Sequence, residues 1–382
     1  MKIEPHPLLT LGAALLLAPL TPTSAQSSWE IVDALAPWRG RDIVADTAGN
    51  FVGIAIDNST SSSGPVSTAV SLSADQGLTW QTVGSIPGYA IDLAVAPDGA
   101  LFASGNRSAT VSGRAFCWQS LDDGATWTAS DPSAGLSTAM LVTDVAAGNS
   151  DAIYLCGTLS GKWIVRKGQR VAGGGIAWAT VDNPALSAPT TVFVRPGPAG
   201  QPDEVLVCGG GWMVRRSTDG GSTWSAVANP TGTYASQSAT ALAVGTDGAI
   251  LVSGRTSKTV GSKKTGYTTE YGWLTRRSAN GGATWTDVDY VVNGQPANMA
   301  VDGLGRVLAV GCLSSTPLTW LVRGSTDGGA TWVTTDVYLP AGTPRSMAWG
   351  VAGDPFGNVC VMGETGDTAS TYTALIRRLA AP

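Results

Sequence analysis

The sequence predicts an all-β fold, a seven-bladed β-propeller with four-stranded antiparallel blades. An octapeptide of pattern S-x-[DN]-x-G-x-T-W recurs at residues 73–80, 120–127, 217–224, 278–285 and 325–332. The spacing is near 50 residues, since Trp80 and Trp127, like Trp285 and Trp332, lie 47 residues apart. The 49 glycines and many Val and Thr residues favour short strands and tight turns over helices. A repeat of this length is typical of propeller blades.

The composition of the octapeptide indicates a turn between two strands. Its Asp or Asn can accept hydrogen bonds from backbone amides just downstream, and its Gly can adopt a backbone conformation closed to other residues. Its Trp provides a large apolar surface for packing within the blade. We interpret the paired positions as structural: Asp75 and Trp80, Asp122 and Trp127, Asp219 and Trp224, Asn280 and Trp285, Asp327 and Trp332.

Two further tryptophans complete the count of seven blades. Trp178 divides the long gap between Trp127 and Trp224 and indicates a blade whose octapeptide has decayed. Trp29 begins a segment that resembles the strand after each octapeptide. The N-terminal strand is therefore predicted to be the outermost strand of the last blade and to close the ring. Each blade is expected to contain strands a, b, c and d, with b ending in Gly and the octapeptide between c and d.

Residues 1–25 have the features of a secretory signal peptide. Lys2 precedes an apolar run from Leu8 to Leu20, and small residues follow up to Ala25. We expect cleavage near Ala25, a secreted or periplasmic product, and a single propeller domain over residues 26–382. No later apolar run is long enough to predict a membrane span. A formal charge of −5 argues against nucleic-acid binding, and a monomer is expected.

Histidine and cysteine usage limits the chemistry. The one histidine, His6, lies in the signal segment, so catalytic triads and imidazole metal sites are excluded from the mature chain. The five cysteines have no disulfide or metal-binding spacing, and we expect them to be small buried hydrophobic residues. No metal or other cofactor is expected, although calcium would be compatible with an oxygen-rich rim.

Function is expected on the face opposite the octapeptides, where strand a begins. Aligned positions at the start of strand a in successive blades are polar. Together they would form a rim that lines the channel or binds a cation or hydroxyl groups. Its members are Asp42, Asp92, Asp144, Thr191, Thr240 and Asn298.

The longest insertion is predicted as a b–c loop of the fifth blade, residues 255–271. Lys263 and Lys264 make it the densest cationic stretch and a candidate site for an anionic ligand. Nearby, Trp273 shares a register with Trp163, Trp212 and Trp320. Inter-blade packing is the favoured interpretation of these tryptophans, with ligand stacking at Trp273 as the alternative.

The octapeptide resembles the Asp-box, or BNR, repeat of sialidase-like propellers. That resemblance implies an arginine cluster for a substrate carboxylate, a Tyr–Glu nucleophile pair and an aspartic acid/base. Arg39 matches the position of the family's first arginine, but Gly40-Arg41 replaces the Ile-Pro that follows it there. The remaining candidates are Arg107, Arg255, Arg345, Tyr267 or Tyr271 with Glu270, and Asp42 or Asp92 as the acid.

The sequence leaves three functional classes open. The favoured one is a noncatalytic secreted propeller that binds a glycan or an extracellular protein. The alternatives are a sialidase-like exo-glycosidase and an extracellular structural or assembly scaffold. Hydrolysis by two carboxylates also remains open, because Asp42, Asp92, Asp144 and Glu364 could approach one another. The fold alone does not decide among these classes.

Overall fold

The strands form seven four-stranded sheets, which confirms the predicted seven-bladed propeller. The structure, a computed structural model, describes residues 28–35, 37–57, 67–106, 113–149, 151–198, 200–227, 235–262, 266–367 and 372–382. The predicted signal segment 1–25, Arg107, Lys263 and Lys264 lie outside these ranges. The described residues contain no helix, and hence none that could cross a membrane.

Each of the first six blades uses four consecutive strands, with strand a next to the central channel. Blades 1 and 2 consist of β2 (Trp38–Ala45), β3 (Phe51–Asp57), β4 (Thr68–Ser73) and β5 (Gln81–Ile86), then β6 (Ala90–Val95), β7 (Leu101–Asn106), β8 (Ala115–Ser120) and β9 (Thr128–Ser130). Blades 3 and 4 consist of β10 (Leu141–Ala147), β11 (Ala152–Leu159), β12 (Lys162–Arg170) and β13 (Ile176–Asp182), then β14 (Pro189–Arg195), β15 (Glu204–Gly209), β16 (Val214–Ser217) and β17 (Ser225–Ala226). Blades 5 and 6 consist of β18 (Ala235–Val244), β19 (Ile250–Ser262), β20 (Gly266–Ser278) and β21 (Thr286–Val292), then β22 (Gly294–Val301), β23 (Val307–Leu313), β24 (Thr319–Ser325) and β25 (Val333–Tyr338).

The seventh blade joins the two ends of the chain. It contains β26 (Arg345–Gly353), β27 (Val359–Gly366) and β28 (Tyr372–Leu379), and its outer strand is β1 (Glu30–Leu35). β1 pairs antiparallel with β28, from Glu30 opposite Arg378 to Leu35 opposite Ala374. The predicted closure by the N-terminal strand is therefore confirmed, and the ring has no free seam.

The octapeptide turns are held by their own side chains, as predicted. In the first, the Asp75 carboxylate accepts the Thr79 backbone N–H at 2.8 Å and the Thr79 hydroxyl at 2.6 Å. These bonds lower the pKa of Asp75 to about 2, mainly through the Thr79 hydroxyl. The Trp80 indole N–H donates to the Gly77 carbonyl at 3.2 Å. The same bonds recur at Asp122, Asp219 and Asp327, and with an amide at Asn280.

The blade at Trp178 keeps a turn without the octapeptide. Its c–d turn contains Gly173 and Gly174 with positive φ, and Val171 and Gly175 bond each other across it. Trp178 lies inside β13, whereas each octapeptide Trp directly precedes its strand d. Its indole N–H donates to Ser130 Oγ of the preceding blade at 3.3 Å. Trp178 therefore takes over a packing role between blades.

The tryptophans of strand c, of which Trp212 lies just before β16, pack between blades, which corrects the alternative of ligand stacking at Trp273. Trp273 is 0% exposed, and Trp163, Trp212 and Trp320 are at most 2% exposed. Trp320 lies against the glycine that ends strand b of the next blade, so that a Cβ on Gly363 would stand 2.4 Å from its ring. Buried beneath β21 and β22, Trp273 presents no face to a ligand.

Two of the arginines that follow these tryptophans, Arg215 and Arg323, connect neighbouring blades, whereas Arg276 binds Asp287 of its own blade. Arg215 binds Asp182 of the preceding blade through two hydrogen bonds of 2.7 and 2.9 Å. Arg323 binds Asp289 in the same way at 2.9 and 2.6 Å. Paired guanidinium–carboxylate bonds of this kind fix geometry as well as charge. These two arginines are therefore structural.

The predicted loop at residues 255–271 is instead an extended β-hairpin. β19 and β20 pair continuously out to Ser262 opposite Gly266. Lys258 faces Glu270 across the hairpin at 2.8 Å. The segment is rich in Thr, Val and Tyr, which favour strands, and its opposite charges match in register. The prediction of a loop was wrong because that pairing is invisible until the two strands are aligned.

All five cysteines are buried and unbridged, as expected for small hydrophobic residues. Burial raises the pKa of the Cys117 and Cys208 thiols to about 12. The thiols are thus protonated at neutral pH and unreactive.

Candidate functional site

Strand a of every blade has a β-bulge near its start. The register slips by one residue after Gly40, Ala90, Val142, Pro189, Ala239, Pro296 and Ala348. A bulge leaves one residue without a partner and redirects its side chain. The seven bulged residues all line one pocket at the channel mouth: Arg41, Ile91, Thr143, Thr190, Thr240, Ala297 and Trp349.

A glycine near the end of strand b makes room for this bulge. Gly105, Gly157, Gly311 and Gly363 each lie opposite the residue before a bulge. A Cβ at these positions would stand 1.9 to 2.1 Å from a carbonyl oxygen of strand a. The recurring Gly was visible in the sequence, and it was the signal from which the bulges could have been found.

The pocket at the channel mouth has a volume of about 390 Å³. Besides the seven bulged residues, it is lined by Tyr89 and Asn298 and by the predicted Asp42, Asp92 and Asp144. The sequence therefore placed these carboxylates correctly at the channel, and it placed Asn298 and Thr240 at the same pocket. Trp349, Tyr89 and Arg41 were missed, because the bulge that directs Trp349 and Arg41 inward leaves no periodic signal.

One predicted alignment was wrong by a single residue. Asp42, Asp92, Asp144, Thr191 and Asn298 directly follow the bulge in their blades. In blade 5 that position is Ala241, and Thr240 is the bulged residue itself. Because side chains alternate along a strand, a slip of one residue changes where a side chain points. Thr240 still reaches the pocket and donates to the Pro296 carbonyl at 3.3 Å.

The three aspartates connect adjacent blades. Asp42 accepts the Leu93 backbone N–H at 3.0 Å, Asp92 accepts that of Val145 at 2.8 Å, and Asp144 accepts that of Val192 at 2.7 Å. Each carboxylate thus bonds a backbone amide of the next blade around the channel. Within the described residues, no group of three or more carboxylate, imidazole or thiolate side chains is arranged to hold a metal ion.

The surroundings of these carboxylates favour their protonated form. Burial raises the pKa of Asp144 to about 6. Burial and then repulsion from the neighbouring aspartate raise the pKa of Asp42 and of Asp92 well above the usual value. Desolvation disfavours the charged form of a carboxyl group, and a second carboxylate adds to that effect. The floor of the pocket therefore carries less negative charge than its composition suggests.

We expect the Asp144→Asn variant to be more stable than the parent at pH 7 by about 3 kcal/mol. A carboxyl whose pKa is raised on folding stabilises the fold below its unfolded pKa, and that contribution is lost as pH rises toward 6. The amide can still accept from Val192, and Val145 keeps Asp92 as a partner. Urea unfolding between pH 4 and 7 measures the effect.

The matched control for this prediction is Asp122→Asn in an octapeptide turn. Bonds to Thr126 lower the pKa of Asp122, so its carboxylate stabilises the fold above its unfolded pKa and loses that effect as pH falls. The two variants should therefore respond to pH with opposite signs. Equal stability of Asp144→Asn and the parent across the whole range would contradict the assignment of a destabilising buried charge.

Arg41 is the cation at the channel mouth. Its guanidinium donates to the Tyr89 hydroxyl at 2.9 Å and lies 5.7 Å from the Tyr89 ring and 5.8 Å from the Trp349 ring. Arg41 Nε and Trp349 Nε1 are both buried and have no hydrogen-bond partner. Unpaired buried donors are uncommon in native proteins, and each requires an explanation such as an ion or a water molecule bound at that atom.

A second cluster lies beside the mouth, where blades 7 and 1 meet. Arg39 binds the two oxygens of Glu364 at 2.7 and 2.8 Å, and Arg345 binds the same carboxylate at 2.9 Å. Arg345 also donates to the Tyr372 hydroxyl at 3.0 Å, and both guanidinium groups lie over the Tyr372 ring. Hydrogen bonding to Glu364 raises the pKa of Arg39. The cluster is therefore a fixed cationic wall.

The sialidase-like candidates come together only in part. Arg39 and Arg345 meet, as the resemblance implied, but the Tyr–Glu pair beside them is Tyr372 and Glu364. Glu270 instead pairs with Lys258 on the fifth-blade hairpin, where Tyr267 and Tyr271 are 62% and 53% exposed. Arg255 is exposed at the base of the same hairpin. Sequence reasoning missed Tyr372 because it has no neighbour of matching chemistry along the chain.

The comparisons with known proteins bear on the fold. No family model and no curated protein matches the chain. A GH74 enzyme of Niastella koreensis is similar in structure, with a TM-score of 0.58 and 16% identity, over 90% of this chain and 55% of the enzyme. The chain thus spans about half the length of that enzyme. A structure of YCF48 bound to D1 peptide has a TM-score of 0.55 and 13% identity over 92% of this chain and 97% of the other.

A third structure is a protein of unknown function from Dyadobacter fermentans, with a TM-score of 0.48 and 15% identity over 92% of this chain and 99% of the other. At identities this low, the similarity to the GH74 enzyme and to YCF48 supports the propeller fold. This similarity does not indicate an activity or a binding partner for this chain.

Proposed function

We propose that the chain is a secreted, noncatalytic propeller that binds an extracellular protein at the channel mouth. The observation that carries this proposal is the ring of bulged residues. It directs Arg41 and Trp349 into a pocket of about 390 Å³ on the face opposite the octapeptide turns. A concave site with a few convergent polar groups and aromatic walls is the usual form of a binding site. The N-terminal signal supports secretion.

The carboxylates near the pocket are committed to structural contacts, which supports a noncatalytic role. Asp42, Asp92 and Asp144 each accept a backbone N–H from the next blade. Glu364 is 0% exposed and is held by two arginines. A general acid or base must come within hydrogen-bond reach of its substrate.

The aromatic rings favour a protein ligand over a glycan. Sugars stack on open aromatic faces, but Tyr372 is only 9% exposed and has two guanidinium groups over its ring. Arg41 likewise lies over Tyr89 and Trp349. The exposed chemistry is therefore that of hydrogen-bond donors. The structural likeness to YCF48 bound to D1 peptide is consistent with a peptide-binding propeller.

The proposal is tested by selecting a random peptide library on the immobilised mature protein. We expect peptides that bind the parent protein and lose at least tenfold in affinity for Trp349→Ala, which removes about 1.4 kcal/mol or more of binding energy. The matched control is Trp178→Ala, because Trp178 lies on an outer strand of blade 3 away from the channel. Circular dichroism confirms that each variant is folded.

Three results would overturn the proposal. The first is a glycan that binds on an array with the same dependence on Trp349, while the library yields no peptide. The second is turnover of a fluorogenic sialoside that is lost in Arg39→Ala. That result would favour the sialidase-like alternative, for which the Arg39, Arg345, Tyr372 and Glu364 cluster is the supporting observation. The third is peptide binding that Trp349→Ala leaves unchanged, because the peptide would then bind elsewhere than at the channel mouth.

A further inference from the structure

We infer that the channel mouth recognises a carboxylate-bearing, acidic segment of the partner protein, along a strip formed by Arg41, Trp349, Arg39, Arg345 and Tyr372. This inference rests on the proposed function and gives its ligand a chemical class. Arg39 and Arg41 belong to β2, and Arg345 and Trp349 belong to β26. These two strands are neighbours, since a Cβ on Gly350 would stand 2.7 Å from the Asp42 Cα. The strip therefore runs from the pocket across the junction of blades 1 and 7.

The strip is positively charged in a protein whose formal charge is −5. It carries three guanidinium groups, and two of them, those of Arg39 and Arg345, share the carboxylate of Glu364. The Glu364 carboxylate accepts hydrogen bonds from Arg39 and Arg345 and has no exposed surface. It therefore neutralises one of the three positive charges from its buried position. Two positive charges remain to attract an anionic ligand. Such local fields guide the association of oppositely charged partners.

Unpaired donors lie along the same strip. Arg41 Nε, Arg345 Nε and Trp349 Nε1 are buried without an acceptor. Leaving a buried donor unpaired costs about 1–3 kcal/mol, so a structure that keeps three together is suited to a ligand rich in acceptors. A carboxylate presents two oxygens with the planar spacing that a guanidinium group matches. An amide or hydroxyl ligand would satisfy these groups less completely.

The aspartates at the pocket floor do not cancel this attraction. Each is bonded to a backbone N–H of the next blade, and burial together with repulsion from the neighbouring aspartate favours the protonated form of Asp42 and Asp92. They directly follow the bulge in strand a, one position further along than Arg41 and Trp349. The ligand would meet the cationic strip before the floor, and its carboxylates would lie on the side of blades 1 and 7.

The test uses two fluorescein-labelled synthetic peptides, one of alternating Glu and Ala and one of alternating Gln and Ala. Fluorescence anisotropy with the mature protein should show at least tenfold tighter binding of the Glu peptide, which weakens as salt is added. Arg41→Gln should lower that affinity about tenfold. Trp349→Phe, which keeps a ring but removes the N–H, should lower it severalfold. Arg195→Gln, on an exposed arginine at the end of strand a on the other face, should leave it unchanged.

The outcomes separate this inference from the proposed function. If library-selected peptides bind at Trp349 but the Glu and Gln peptides bind equally, peptide binding stands and the acidic specificity is wrong. If the Glu peptide binds equally well to Arg41→Gln and Arg195→Gln, the strip is not the site, and the inference is overturned. If an oligogalacturonate binds in an Arg41-dependent way and no peptide binds, the partner is a glycan, and both proposals fall. Binding of inorganic phosphate in place of either peptide would also overturn the inference.

Discussion

Replacing Trp273 by alanine is expected to lower the free energy of unfolding by about 3–5 kcal/mol. The side chain is 0% exposed and packs with Leu251, Met299 and Leu321 between blades 5 and 6. Its removal would leave a cavity that the two rigid sheets cannot close, and Thr275 would lose the indole N–H that bonds it at 3.1 Å. Urea unfolding followed by circular dichroism measures the change.

The control for Trp273 is Trp349, which is half-buried at the channel mouth. Trp349→Ala should cost less stability than Trp273→Ala, because one side of the ring faces the pocket. The two variants should also differ in which property they lose. Trp349→Ala should lose ligand binding, whereas Trp273→Ala should lose stability. If Trp273→Ala instead keeps the stability of the parent but loses ligand binding, Trp273 contacts the ligand and the packing role assigned to it is wrong.

The Glu364→Gln substitution is expected to lower the free energy of unfolding by about 3 kcal/mol. Glu364 accepts three hydrogen bonds from Arg39 and Arg345 and has no exposed surface. The amide keeps the size of the side chain but leaves two partly buried guanidinium groups without a counter-charge. Removing one partner of a buried ion pair is costly for that reason. Thermal and urea unfolding at low and high salt measure the loss.

Glu270→Gln is the matched control, because Glu270 pairs with one cation, Lys258, on the fifth-blade hairpin. Its ion pair with Lys258 leaves both side chains about a quarter or more exposed, at 26% and 30%. Pairs of this kind contribute little to stability, so we expect a change below about 1 kcal/mol. Equal losses for the two glutamates would contradict the structural role assigned to Glu364.

The octapeptide shows how much of this fold is determined by interactions between residues close together in the sequence. Asp75 and Thr79 are four residues apart and bond each other, and Trp80 bonds the carbonyl of Gly77. Every interaction of the turn lies within eight residues, so one copy identifies the turn and five copies identify the repeat. The spacing then predicts seven blades, and Trp29 predicts the closing strand, which pairs with β28 as expected.

The channel residues show which parts of the site could not be predicted from neighbouring residues in the sequence. Asp42, Asp92 and Asp144 were predicted because the same residue type recurs at the start of strand a. Thr240 was misaligned by one position, since a bulge changes the register without a change in hydrophobic pattern. Arg41 and Trp349 reach the pocket only because of that bulge. The fifth-blade hairpin was likewise hidden until Lys258 and Glu270 were brought opposite each other.

The sequence by itself therefore determined the blade count, the turn chemistry and the strand that closes the ring, because these depend on contacts between near neighbours and on regular spacing. The tertiary structure alone decided which side chains from distant parts of the chain contact one another beside the channel mouth. Arg39 and Glu364 are 325 residues apart along the chain and meet only because the last blade returns to the first. The same closure brings Trp349 beside Arg41. A ring joins its two ends, and the proposed binding strip lies at that junction.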